Sequence, residues 1–192
     1  MIYKYVTEKF SHFNLADEEI FALIGILKFR RYKRKETIFY IGERVNTIAM
    51  LVEGAAYSTM LHDDGKERIT SLHYPDSLSE IVFNYEDYLQ ESPSQKNYLV
   101  YEESLLLLLD INAVRRLYEQ FPRFYQLELM LMQPNLLLAL KSIHILQGHT
   151  SNEKIRLLKQ HFPKIFQLFP YSYIASYLGV HRNTFNKVMA SL

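Results

Sequence analysis

Seven polar residues near the C-terminus have the types and spacing to recognise a nucleic-acid duplex: Ser172, His181, Arg182, Asn183, Thr184, Asn186 and Lys187. Arginine presents a planar fork that matches the O6/N7 edge of guanine. Asparagine donates and accepts, which matches N6 and N7 of adenine, whereas lysine offers a point charge to guanine or to a phosphate. They sit in YSYIASYLGVHRNTFNKVMA (171–190), which carries two short helical periods. In the first, Ile174, Ala175 and Leu178 share a side, with Ser172 placed to cap the helix. Gly179 ends it, because glycine accepts the left-handed backbone of a tight turn, and Val180 plugs that turn. In the second, Phe185, Val188 and Met189 lie opposite Arg182, Asn183, Asn186 and Lys187. This is a helix-turn-helix pattern. An ordinary helical hairpin at a domain end shares the local pattern.

Other chemistry is thin. The histidines are His12, His62, His73, His144, His149, His161 and His181, and none forms an HxH or HExxH pair. His62 and His73 fall in a strand-rich stretch and are the pair that a cupin-like metal enzyme would need, so an enzyme reading stays open at this point. No nucleophile–base set accompanies them. There is no cysteine, which excludes disulfides and thiolate-held metals. No cofactor is expected. The 15 tyrosines are scattered and build no stacking platform for single strands.

The elements that must position the polar face follow from the rest of the chain. Its 192 residues, 48% hydrophobic and 22% charged, suffice for a packed core. No apolar run of membrane-spanning length and no signal peptide stand out, which points to a cytoplasmic protein without a membrane partner. Residues 1–149 carry a net charge of −4 and residues 150–192 of +5. A basic module on an acidic body suits a phosphate backbone. Residues 14–27 read as a helix with acids at its start and Ile20, Leu23, Ile24 and Leu27 as its stripe. From Lys28, strand-length runs alternate with turn signals at Gly42, Gly54 and Asp64-Gly65. A loop is expected over 75–97, and YLVYEESLLLLLD (98–110) supplies the last strands, with Leu105–Leu109 buried on both faces. Helices begin near Ile111. Pro122 opens a long helix to about Gln147, kinked at Pro134 and apolar nearly all round, so a second copy of the chain is expected against it. Thr150-x-x-Glu153 reads as a capping box. The domain boundary falls at Gly148–His149, giving 1–147 and 148–192.

This order resembles the Crp/Fnr family of transcription regulators. The resemblance rests on RRYKRKETIFYIGERVNTIAMLVEGAAYSTMLHDDGKERITSLHYPDSLSE, with its spaced glycine turns, and on IASYLGVHRNTFNKV. It implies an α+β chain: an antiparallel β-roll of the cyclic-nucleotide-binding jelly-roll type, a dimerisation helix (about 122–147), and an all-α helix-turn-helix domain. It also implies double-stranded DNA and a second copy as partners, with a small-molecule effector and RNA polymerase as further ones. The family's phosphate-binding Gly-Glu-Leu matches Ser79-Glu80-Ile81, and its Arg-Ser-Ala falls at Ser94-Gln95-Lys96. The ribose-binding glutamate thus has a counterpart in Glu80, but the phosphate-binding arginine has none. Lys96 is a weak substitute, so cyclic AMP is not expected to bind. Family members with iron–sulfur centres are excluded as precedents by the missing cysteines. The hairpin before the motif is replaced by PKIFQLFP, and no β-hairpin wing follows Lys187 before Leu192. The alternatives are a sensor or interaction module of the same roll type that does not bind DNA, and the cupin-like metal enzyme.

Overall fold

The computed structural model describes residues 2–76, 79–148 and 150–191. Two helices open the chain, α1 (Ile2–Lys9) and α2 (Asp17–Ile26). Five strands follow: β1 (Leu27–Tyr32), β2 (Thr37–Phe39), β3 (Thr47–Glu53), β4 (Ala56–Leu61) and β5 (Glu67–His73). Leu27 is therefore the first residue of a strand and not the last of a helix, pairing with Leu109. The stretch expected as loop, 75–97, also holds a two-residue strand, β6 (Ile81–Val82), and a short helix, α3 (Tyr85–Leu89). Two residues are too few to show a period, which is why β6 is invisible to pattern; it exists because Ala49 and Met50 of β3 offer a free edge to Val82 and Ile81. Strands β7 (Asn97–Val100) and β8 (Ser104–Asp110) complete the roll.

The eight strands form two antiparallel four-stranded sheets, ordered β1-β8-β3-β6 and β2-β7-β4-β5. Strand β8 is central to the first and runs against β3 with Ala49 opposite Leu108, Met50 opposite Leu107 and Leu51 opposite Leu106. Successive side chains alternate between faces. Ala49, Leu51, Val82 and Leu106 therefore point between the sheets, where they meet Ala56, Tyr98 and Val100. Met50, Ile81 and Leu107 point outward and are covered by helical residues such as Val6, Leu23 and Leu117. Both faces of β8 are covered, so its run of leucines stays dry through Leu107. Gly54, at φ +92, precedes β4; a Cβ there would overlap Ser104.

Helix α4 (Ile111–Gln120) leads to the 23-residue α5 (Phe124–Leu146), which starts two residues after Pro122 and continues through Pro134. This helix corrects one expectation. By length and composition it is apolar enough to cross a membrane. Phe124, Leu127 and Ile145 on one side are buried against the rest of the chain, while most of its other apolar residues are exposed. Four helices follow: α6 (Ser151–His161), α7 (Ile165–Leu168), α8 (Tyr171–Leu178) and α9 (Arg182–Met189). The Thr150 hydroxyl caps α6 by accepting from the Glu153 N–H at 3.1 Å. His149, one side of the expected boundary, lies outside the described residues.

These last helices do not hang free of the roll. Ala55, Tyr57, Leu72 and Tyr74 of the second sheet share one buried cluster with Ile155, Leu158, Phe169, Ile174 and Leu178. Across this seam Tyr57 packs on Tyr173 with ring centroids 5.0 Å apart, and Tyr101 packs on Phe169 at 5.4 Å and on Tyr173 at 5.3 Å. The Ile69 N–H donates to the Ser176 hydroxyl at 3.1 Å, and Lys164 reaches Asp76 at 3.6 Å.

Candidate functional site

Helices α8 and α9 build the helix-turn-helix. The cap of α8 is Pro170, whose extended backbone (ψ 151) leads into the helix; Ser172 lies inside the first turn, exposed, and does not cap it. Proline's fixed φ sets the entry without a side-chain bond, so the expected serine cap has no place to act. Gly179 sits in the left-handed region at φ 64 and closes the turn, with the Val180 N–H donating to the Ala175 carbonyl at 2.9 Å. Ile174, Ala175, Leu178 and Phe185 are sealed inside the module against Ile155 and Leu158 of α6. His181 turns out to be the cap of α9: its Nδ1 accepts from the Asn183 N–H at 3.3 Å.

That burial leaves one face of α9 outward. Arg182, Asn183, Thr184, Asn186 and Lys187 are all exposed. Among the described residues none of these five side chains makes a hydrogen bond or ion pair. They are thus presented to solvent as an unspent fork, two amides, a hydroxyl and an ammonium.

The second site is a cavity of about 290 Å³ that opens from the second sheet towards α5. Its floor is a chain of small polar groups. The Ser58 hydroxyl lies 2.6 Å from Thr70 Oγ1 and 2.5 Å from Ser71 Oγ, and Ser71 Oγ lies 2.6 Å from His73 Nε2. His73 Nδ1 is 3.2 Å from the Ser79 carbonyl, so Nδ1 carries the proton and Nε2 accepts from Ser71. Burial, reinforced by the nearby Lys96 charge, pushes the imidazole down to about 4, and it is neutral. Tyr98 completes the floor, its phenol pushed up by burial. Ser142 and Asn135 of α5 line one side, and Phe162, Ile165 and Tyr177 from the C-terminal helices line another. Among the described residues, Lys96 is the only charged one lining the cavity.

The effector residues expected from sequence are only partly brought together here. Ser79, Ile81 and Lys96 line the cavity, but Glu80 does not. Its carboxylate turns the other way and is gripped at 2.6 Å through both oxygens by Lys9 of α1, with Glu80 only 7% exposed. Glu80 lies in the turn that leads into β6, and the Lys9 ammonium holds its carboxylate away from the cavity that Ser79 and Ile81 line. Ser94 and Gln95 serve the backbone: Ser94 Oγ donates to the Lys96 carbonyl at 3.0 Å, and the Gln95 N–H donates to the buried Asp87 carboxylate at 3.2 Å. The cavity's hydroxyls, Ser58, Thr70, Ser71 and Ser142, were missed. Isolated serines and threonines on different elements leave no spacing signal; only the alternation along β4 and β5 hints that Ser58 and Ser71 share a face.

The metal-enzyme reading fails on position. His73 pairs with Ala56 at one end of the β4–β5 ladder, whereas His62 follows Leu61 at the other. Five to six residues of strand, at about 3.3 Å each, separate them by about 18 Å, and both nitrogens of His73 are already engaged. Among the described residues no group of three or more His, Asp or Glu side chains is placed to hold a metal.

No protein-family model matches the chain and no curated protein matches it in sequence. Similarity appears in three dimensions. FixK2 from Bradyrhizobium japonicum superposes with a TM-score of 0.72 at 16% identity, over 87% of this chain and 84% of that one. The c-di-GMP-responsive global regulator CLP of Xanthomonas campestris, which links cell–cell signalling to virulence gene expression, gives 0.69 at 13% identity over 92% and 91%. The fold is that of the Crp/Fnr-type regulators. A CooA variant from Carboxydothermus hydrogenoformans gives 0.66 at 15% identity over 97% of this chain and 83% of that one. At these identities the likeness is one of architecture: roll, long helix and helix-turn-helix in the same order.

Proposed function

We propose that the protein is a dimeric, DNA-binding transcription regulator of the Crp/Fnr type and not an enzyme. The observation that carries this reading is the outward face of α9, where five polar side chains lie unpaired on a module whose other side is sealed by Phe185. Arg182 would read guanine, Asn183 adenine, and Lys187 guanine or phosphate. The division into a sensor, 1–147, and a DNA-binding part, 148–192, belongs to the same proposal. So does dimerisation through α5, on which Leu129, Leu136, Leu140 and Ile143 are exposed, together with Gln133, in one stripe of heptad spacing.

The cavity of about 290 Å³ is the effector site in this reading. Its small hydroxyls, neutral imidazole and single ammonium suit a small ligand that is uncharged or singly anionic. A cyclic phosphate would lack the bidentate cation and the carboxylate that hold it in the family's usual site.

Selection of bound duplexes from a random pool, repeated with Arg182→Ala and Asn183→Ala, tests the proposal. The expected outcome is a defined half-site in which each substitution relaxes a different base. If both substitutions weaken all sequences equally, α9 does not read bases. If the chain shows no salt-dependent shift of any duplex, it is a sensor of the same fold without DNA binding.

A further inference from the structure

A separate cavity, of about 90 Å³, lies against the outer face of the first sheet, under α2, α4 and α5. Leu23, Met50, Leu107, Leu117 and Leu127, drawn from all of these elements, are buried around it. Its polar side chains, Tyr85, Tyr88, Arg115, Tyr118 and Glu128, all reach solvent and form its rim. They are spent on one another. The Arg115 guanidinium donates to the Tyr88 hydroxyl at 3.4 Å, and the Tyr118 hydroxyl donates to the Glu128 carboxylate. Burial, reinforced by the Glu128 charge, pushes the Tyr85 phenol up to about 12, as a dry setting requires. A water stays in a cavity only where it finds about two to four polar partners. Among the described residues, the side chains that wall this interior are apolar.

A close-packed interior would shrink such a space if its walls could move. Here the walls are tied by bonds that do not depend on what lies between them. Lys9 of α1 grips Glu80, beside β6, at 2.6 Å. Arg123, just before α5, donates to the Asn14 carbonyl at 3.2 Å and to the Glu19 carboxylate of α2 at 3.4 Å. Met50 and Leu107, on the sheet side, face each other in the β3–β8 ladder. Helices and sheet therefore keep their stations, and the space stays open.

We propose that this cavity is a second ligand site, for a neutral apolar molecule of about one ring or less: a short hydrocarbon or an unsubstituted monocyclic aromatic. An apolar cavity of about 150 Å³ takes benzene or xenon. The smaller volume here sets the upper limit near a single ring, and the engaged rim offers a polar guest nothing to bind. The site does not depend on the DNA-binding reading. It does share a helix with the polar cavity. Phe124, Leu127 and Leu131 of α5 wall the one, and Asn135 and Ser142 the other, so guests in both would bear on the same helix.

The test uses the full chain with benzene and xenon as probes. Both should bind saturably to the wild type, one per chain, benzene by calorimetry and xenon by titration of its magnetic resonance. At about five times its dissociation constant, benzene should raise the thermal midpoint by about 2–4 °C. Pyrimidine, of the same size but polar, should leave it unchanged. Val114→Phe on α4 and Leu131→Phe on α5 each push a ring into the space from a different wall. Binding of both probes should be lost in them, read in whichever variant keeps the wild-type helix content. A wild type that takes up neither probe overturns the proposal. So does binding that survives the filling, which would place the probe elsewhere, or an equal shift with pyrimidine.

Discussion

Replacing His73 by glutamine keeps a donor and an acceptor in the cavity floor but removes the titratable ring. A free imidazole takes up its proton near pH 6.5, whereas burial holds His73 down to about 4. The unfolded chain therefore binds a proton between those values that the folded chain refuses. The folded pKa is depressed for a base, so its neutral form is the stable one: the contribution is complete above pH 6.5 and is lost as pH falls towards 4. The difference of 2.5 units, at about 1.4 kcal/mol each, amounts to about 3 kcal/mol. That is a large part of a typical domain's stability. Urea midpoints at pH 7.5, 5.5 and 4.5 measure it. The wild type should lose stability over this range, and His73→Gln should lose about 2 kcal/mol less by pH 4.5, the remainder being lost only at lower pH. Glu36 and Asp64, whose pKa values are lowered mainly by hydrogen bonds, act equally in both proteins and cancel in the comparison. Parallel profiles for wild type and variant would refute the claim that His73 is buried and neutral.

Charged residues at Leu136 and Ile143, both more than half exposed, should convert dimers to monomers or aggregates, as read by sedimentation; a wild type that is monomeric at micromolar concentration contradicts the seam. Gly179→Ala meets no atom within 4 Å but must adopt φ 64, so it should cost about 1–2 kcal/mol, seen as a lower thermal midpoint with the helix content unchanged. Cyclic AMP should give no calorimetric signal at millimolar concentration, because Glu80 is held by Lys9 and, among the described residues, no arginine lines the cavity; tight binding would mean that α1 moves aside to release Glu80.

The parts of this fold that sequence discloses are those with local causes. Gly42, Gly54, Gly65 and Gly179 all adopt positive φ, and turns were expected at each of them. The leucine run of β8 announces a strand covered on both faces, and the period through Phe185, Val188 and Met189 announces the buried side of α9. What stays hidden depends on partners far along the chain. Helix α1 was not foreseen, and it matters because Lys9 takes Glu80, 71 residues away. The polar floor joins Ser58, Thr70, Ser71, His73 and Ser79 from three segments, and no spacing rule links them. Ser172 has the right chemistry for a cap and the wrong register, since Pro170 starts the helix two residues earlier.

The interlocking of Tyr57 and Tyr101 with Phe169 and Tyr173 bears on how this chain could be taken apart or recombined. A graft of 148–192 onto a different roll would bring half of an aromatic joint to a surface lacking the other half, and the parent roll would be left with a greasy patch where the joint had been. Exchange of C-terminal modules between chains of this architecture should therefore succeed only when the outer face of β4 and β5 and Tyr101, just past β7, travel with the module, so that the unit of inheritance is larger than the helix-turn-helix.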